Sequence, residues 1–207
     1  MAEPIEKTKK KKTFFGKIKK YAEITEVGEI ARRYFVMNAF DGALTTLGII
    51  IGFFLAGIDE ASVVIVTTLA TALAMGISGI WGAYLAERAE RIRELKKLER
   101  HMMTDLSQTI MARASRFAII FSAIIDGFSP ALAAIIGIIP YFFGLNSSIH
   151  FSILFAISIV LNLIMLFLLG MFLGKVSQEN IIYMGIKVVF AGVLITVILF
   201  LFNLGGG

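Results

Sequence analysis

Cysteine is absent from the 207 residues, and histidine occurs only twice, at His101 and His150. The first absence excludes disulfides and thiolate metal sites. The second excludes a histidine-rich metal cluster. No stretch of the HExxH or Gly-x-Ser-x-Gly kind is present, so no enzyme built on those motifs is expected, and no resident cofactor. The N-terminal stretch is long, charged and lysine-rich. It lacks the short apolar core and small-residue cleavage site of a secretory signal, so no cleavable signal is expected. Charge is scarce overall, at 17% Asp, Glu, Lys and Arg.

What the chain has instead is hydrocarbon. Apolar residues make up 57%, and the mean hydropathy is +0.84, where soluble domains run nearer 45–50% apolar. Long apolar runs recur, so the expected class is an all-α integral membrane protein. Five spans are read, at roughly 34–57, 61–86, 117–144, 149–174 and 181–204. The organisation is a basic arm over 1–33, spans 1 and 2 over 34–86, a charged helical segment over 87–116, and spans 3 to 5 over 117–207.

The basic residues predict orientation. Of twenty Lys and Arg, ten lie in 1–33 and eight in 88–116, and the others are Lys175 and Lys187. None lies in 58–60, 145–148 or 205–207. Positive charge stays inside, so the N-terminus is expected in the cytoplasm and the C-terminus outside, with the cell membrane as the expected location. The arm "KTKKKKTFFGKIKKYAE" is expected to touch anionic headgroups, and nucleic acid is not an expected partner. In 87–116, Glu87 and Arg91 are i,i+4 partners that extend span 2 as a helix. That segment reads either as a solvated, salt-bridged helical hairpin or as a place where Glu90, Glu94, Glu99, Met102 and Met103 gather a cation.

Of fifteen acidic residues, only Asp41 and Asp126 lie well inside a span. A carboxylate at mid-bilayer costs at least about 2.5–3.5 kcal/mol, so such residues face a bundle interior and mark ion or proton paths. Each shares a helical face with polar or small residues. On span 1 the face is Asn38, Asp41, Thr45, Gly48 and Gly52; on span 2, Thr68, Thr71, Met75, Gly79 and Gly82. Span 3 carries Ser122, Asp126, Ser129, Ala133, Gly137 and Pro140; span 4 adds Ser158, Asn162 and Met165. Carboxylates with amide, hydroxyl and thioether neighbours suit a divalent cation of intermediate softness, Fe²⁺ or Mn²⁺. The candidate membrane site is therefore Asp41, Asp126, Asn38, Met75 and Asn162. The glycines at 48, 52, 79 and 82 are expected to let helices approach closely. A shift of 85 residues lays "DGALTTLGIIIG" (41–52) on "DGFSPALAAIIG" (126–137), a weak parallel repeat.

Three stretches, "DGALTTLGIIIGFFLAG", "LATALAMGISGIWGAYLAERAE" and "GIIPYFF", make the chain resemble the vacuolar iron transporter family. The resemblance covers nearly the whole sequence. It implies five spans, export of Fe²⁺ or Mn²⁺ from the cytosol against protons, and a homodimer with its pore between subunits. Asp41 matches the family's span 1 aspartate. The family's span 2 Asp, Met and Glu fall here on Met75, Gly79 and Ala83, and the cytoplasmic metal-binding segment is short. The resemblance carries its Glu and Met ligands only loosely, to Glu90, Glu94, Glu99, Met102 and Met103. The expected function is thus a divalent-metal exporter. The alternative is a membrane scaffold or regulator that kept the fold and lost the site.

Overall fold

The computed structural model describes residues 16, 18–145 and 149–205. The expected basic arm lies outside the described residues at 1–15 and 17, as do 146–148 and 206–207. The described residues are helical almost throughout. A helical stretch over 18–25 turns at Glu26, whose φ is +51°, into α1 (Val27–Leu55). Then come α2 (Ala61–Met102), α3 (Ile110–Gly144), α4 (Phe151–Ser177) and α5 (Ile181–Gly205). All five are long and apolar enough to cross a bilayer.

Helix ends follow local chemistry. α1 stops at Gly57, φ +71°, where the Ile58 N–H reaches back to the Phe53 carbonyl at 3.0 Å. This left-handed stop satisfies a carbonyl that the helix leaves free. α2 and α4 end the same way without glycine: Met103 and Gln178 take φ +50° and +58°. Their following N–H groups bond the Glu99 and Gly174 carbonyls. α5 opens on Asn180, whose Oδ1 accepts the N–H groups of Ile182 and Tyr183, each at 3.1 Å. α1 begins seven residues before the expected apolar span, and α2 runs sixteen beyond it. Apolar runs locate bilayer crossings, whereas helices continue into water wherever the residues favour it, as in the Glu- and Arg-rich end of α2.

The chain divides into two compact units. Unit 1 is residues up to Tyr34 with Gly79–Asp126; unit 2 is Phe35–Ser78 with Gly127–Gly207. Unit 2 holds the apolar core. Ile50 of α1, Val64 and Ile65 of α2, Ile138 and Tyr141 of α3, and Leu154 of α4 form one buried cluster. Ala39, Ala43, Ala133, Leu166 and Leu169 form a second. In bilayers helices gain little from excluding water, so close packing between small residues decides association. That is visible here: a Cβ on Gly42 would collide with the Pro130 backbone, and one on Gly76 would lie 3.0 Å from the Gly127 carbonyl. Gly170 and Gly174 bring α4 against Met184 and Ile181 of α5.

Candidate functional site

In unit 1 the polar ends of the helices are knitted together. The Tyr34 hydroxyl donates to Glu87 Oε1 at 3.2 Å. Glu87 and Glu94 pair with Arg91 at 3.6 and 3.7 Å, and Arg91 also donates to the Thr25 carbonyl at 3.1 Å. Glu87 and Arg91 are nearly buried, so this pair is desolvated and its partners matter more than those of an exposed pair. Asp126, only 7% exposed, interacts electrostatically with Tyr34. Its backbone carbonyl has no helical donor four residues on, because Pro130 stands there without an N–H. The sequence alone does not mark Tyr34, since one tyrosine at a span's edge carries no pattern. The Glu87–Arg91 spacing was visible only as a helix-stabilising pair.

The loop after α2 places the weak cytoplasmic candidates. Glu99 accepts the Leu106 N–H at 3.0 Å, and it lines an open pocket with Met103 and Asp105. Asp105 accepts the N–H and hydroxyl of Ser107, which holds its carboxyl below the usual carboxylate range. Glu94 is committed to Arg91. Glu90 and Met102 are exposed, and Met103 is 93% exposed. Among the described residues no three His, Asp or Glu groups converge as a metal site.

In unit 2 the candidate residues fall into an inward and an outward set. Asn162 is fully buried. Its amide nitrogen donates to the Ser158 carbonyl at 2.8 Å and the Gly137 carbonyl at 3.4 Å. A Cβ at Gly137 would lie 2.6 Å from Asn162 Oδ1 and 2.8 Å from Thr46 Cγ2, so Gly137 is the opening that lets the amide lock α4 to α3. Asn162 Oδ1, the Ser158 and Thr68 hydroxyls and the Tyr141 phenol are buried without a hydrogen-bond partner among the described residues. Asp41 belongs to the outward set and is exposed, with Gly42 beside it clamped on Pro130. Asn38, Thr45 and Gly48 are half-buried, and Gly48 meets Ile195 of α5 at 3.6 Å. Gly52 and Gly82 are exposed, and a Cβ on either would meet nothing within 4 Å. Met75 and Gly79 are half-buried.

Comparison with known proteins agrees with this architecture. The VIT family model matches residues 32–104 and 93–203. An uncharacterized protein of Methanocaldococcus jannaschii is 33% identical over 178 residues, 84% of this chain and 89% of the relative. The match takes in all five apolar helices, both intramembrane aspartates and the charged hairpin between α2 and α3. This chain is a multi-pass integral membrane protein that belongs to the VIT family of membrane metal-ion transporters.

Proposed function

We propose that the protein is a homodimer that exports a divalent metal ion, Fe²⁺ or Mn²⁺, from the cytoplasm in exchange for protons, contributing to metal homeostasis at the cell membrane. The observation that carries this reading is Asp41. It lies within an apolar span, is exposed on the surface of a single chain, and has no partner among the described residues. Facing lipid tails, a carboxylate would be penalised by several kcal/mol, on the order of 2.5–3.5 at least. A second copy of the chain relieves that penalty by enclosing a hydrated path along α1. The open face at Gly52 suits such an approach of backbones. The metal is the substrate; Asp41 attracts it or exchanges a proton for it, and Asn38 and Met75 flank the path. Asn162 supports it from the helix interior, and Asp126 is a further candidate to bind metal or a proton. The lysine and arginine distribution supports an inside N-terminus and an outside C-terminus.

A second reading rests on a specific observation. Met75, Gly79 and Ala83 stand where the family pattern has Asp, Met and Glu, and no carboxylate cluster forms within one chain among the described residues. On that reading the chain is a scaffold or regulator that kept the transporter fold. Proteoliposome flux of Fe²⁺, Mn²⁺, Co²⁺ and Zn²⁺ separates the two. Export predicts saturable flux of at least one ion with internal pH change; a scaffold predicts none for any.

A further inference from the structure

We infer that the adjoining ends of α2 and α3 form a binding site for the phosphate headgroup of an anionic phospholipid. A cavity of about 440 Å³ opens between them, entirely within unit 1. Arg88, Arg91 and Arg116 supply its basic side, and Ile92, Ile119 and Ile120 an apolar wall. The volume falls in the range of sites that enclose organic ligands, about 300–1,000 Å³, and is generous for a bare inorganic anion.

The three arginines are not equivalent. Arg91 is spent: Glu87, Glu94 and the Thr25 carbonyl occupy its guanidinium. Arg116 gives one N–H to the Ser107 carbonyl at 3.4 Å and keeps other donors free. Arg88 has no ion pair or hydrogen bond among the described residues. Two cations without a carboxylate therefore share one cavity. Guanidinium groups match phosphate oxygens in charge and in planar geometry.

Position decides for a lipid. Arg88 follows the apolar run of α2, and Arg116 precedes that of α3. Both thus stand at the level where headgroups meet water, and basic pockets between membrane helices at that level take phosphate-bearing lipids. Ile120 is exposed, so the apolar wall continues outward along the path an acyl chain would follow. The inference requires nothing of the metal path.

The test is thermal melting of the delipidated full-length protein in detergent. It is titrated with phosphatidylglycerol and, separately, with phosphatidylcholine and inorganic phosphate. A ligand that binds only the folded state raises the melting temperature saturably. Phosphatidylglycerol is expected to do so and the other two are not. Arg88→Gln and Arg116→Gln should each weaken the apparent affinity about tenfold, the loss of one charge-assisted contact. Arg93→Gln, on the same helix but away from the cavity, should leave it unchanged. An equal rise with inorganic phosphate would make this a soluble-anion site and overturn the lipid assignment. An equal loss in Arg93→Gln would reduce it to general surface charge, and no saturable rise would end it. If the arginine variants do not fold, native mass spectrometry of the unaltered protein decides. Retention of phosphatidylglycerol over an equal dose of phosphatidylcholine supports the site, and equal retention refutes it.

Discussion

Two twelve-residue segments of this chain begin on Asp-Gly and end on Gly, yet the structure treats them oppositely. Asp41 is exposed and Asp126 is buried. Gly52 faces open space, whereas Gly137 is pressed against Asn162 and Thr46. Only the second residue behaves alike: Gly42 meets Pro130 and Gly127 meets Gly76, each a point where two backbones nearly touch. The shared letters thus encode a shared packing device. The environment of each aspartate is set by what surrounds its helix. α3 turns Ser122, Asp126, Ser129, Ala133, Gly137 and Pro140 inward, and all six are buried. α1 leaves Asp41 and Gly52 outside.

Breaking this contrast should be easiest at the aspartates. Asp41→Asn keeps the shape and removes the charge. Metal flux should fall by roughly 100-fold, the scale of a damaged metal site, while oligomeric state and melting temperature stay near the parent. Full flux in that variant would remove Asp41 from the path. The glycines give the next largest effect. Gly137→Leu must displace the Asn162 amide and should destabilise the fold by about 1–3 kcal/mol. Gly52→Leu should leave the single chain intact and weaken the proposed dimer, read by size-exclusion with light scattering. Equal loss of folded protein in both would erase the distinction between an inward and an outward face.

Asp126→Asn sharpens the comparison from the other side. Its buried carboxylate interacts with its surroundings, so the variant should melt lower by an amount worth roughly 1–2 kcal/mol, with flux reduced as a consequence. An unchanged melting temperature together with lost flux would instead give Asp126 the same role as Asp41. The smallest effect belongs to the loop. Asp105 titrates below the ordinary carboxylate range because Ser107 donates to its charged form. The stabilisation is therefore fully present above the unfolded carboxylate pKa and is lost as pH falls through the folded value. Hydrogen exchange of the Ser107 amide should quicken across that acid window relative to its intrinsic rate, and Asp105→Asn should flatten the change.

The five helices were legible because a bilayer crossing demands an uninterrupted apolar run, and nothing else in a sequence imitates one. The inward faces of α3 and α4 were legible from spacing, since Ser158 and Asn162 or Asp126 and Ser129 must share a side. Other features were not. Nothing in the letters distinguishes Gly52 from Gly137, because the distinction lies in the neighbouring helix. The Tyr34–Glu87 bond joins residues 53 apart in sequence, and no local pattern announces it. The left-handed turns at Met103 and Gln178 escaped too, because glycine is the usual mark of such a stop.

The hairpin between α2 and α3 also has a use at the bench. Forty-two residues of α2 rise about 63 Å, roughly twice a hydrocarbon core. Its lysines and arginines therefore sit on firm helix, where trypsin cuts poorly. The non-helical residues 103–109 contain no basic residue but do contain Asp105. A protease that cleaves before aspartate should nick the hairpin at Asp105, leaving two fragments of similar size, whereas access from the opposite face would cut at the exposed Asp59 between α1 and α2 and release a much shorter N-terminal piece. Added to sealed vesicles of known sidedness, it would report which face of the membrane the hairpin occupies without any engineered tag.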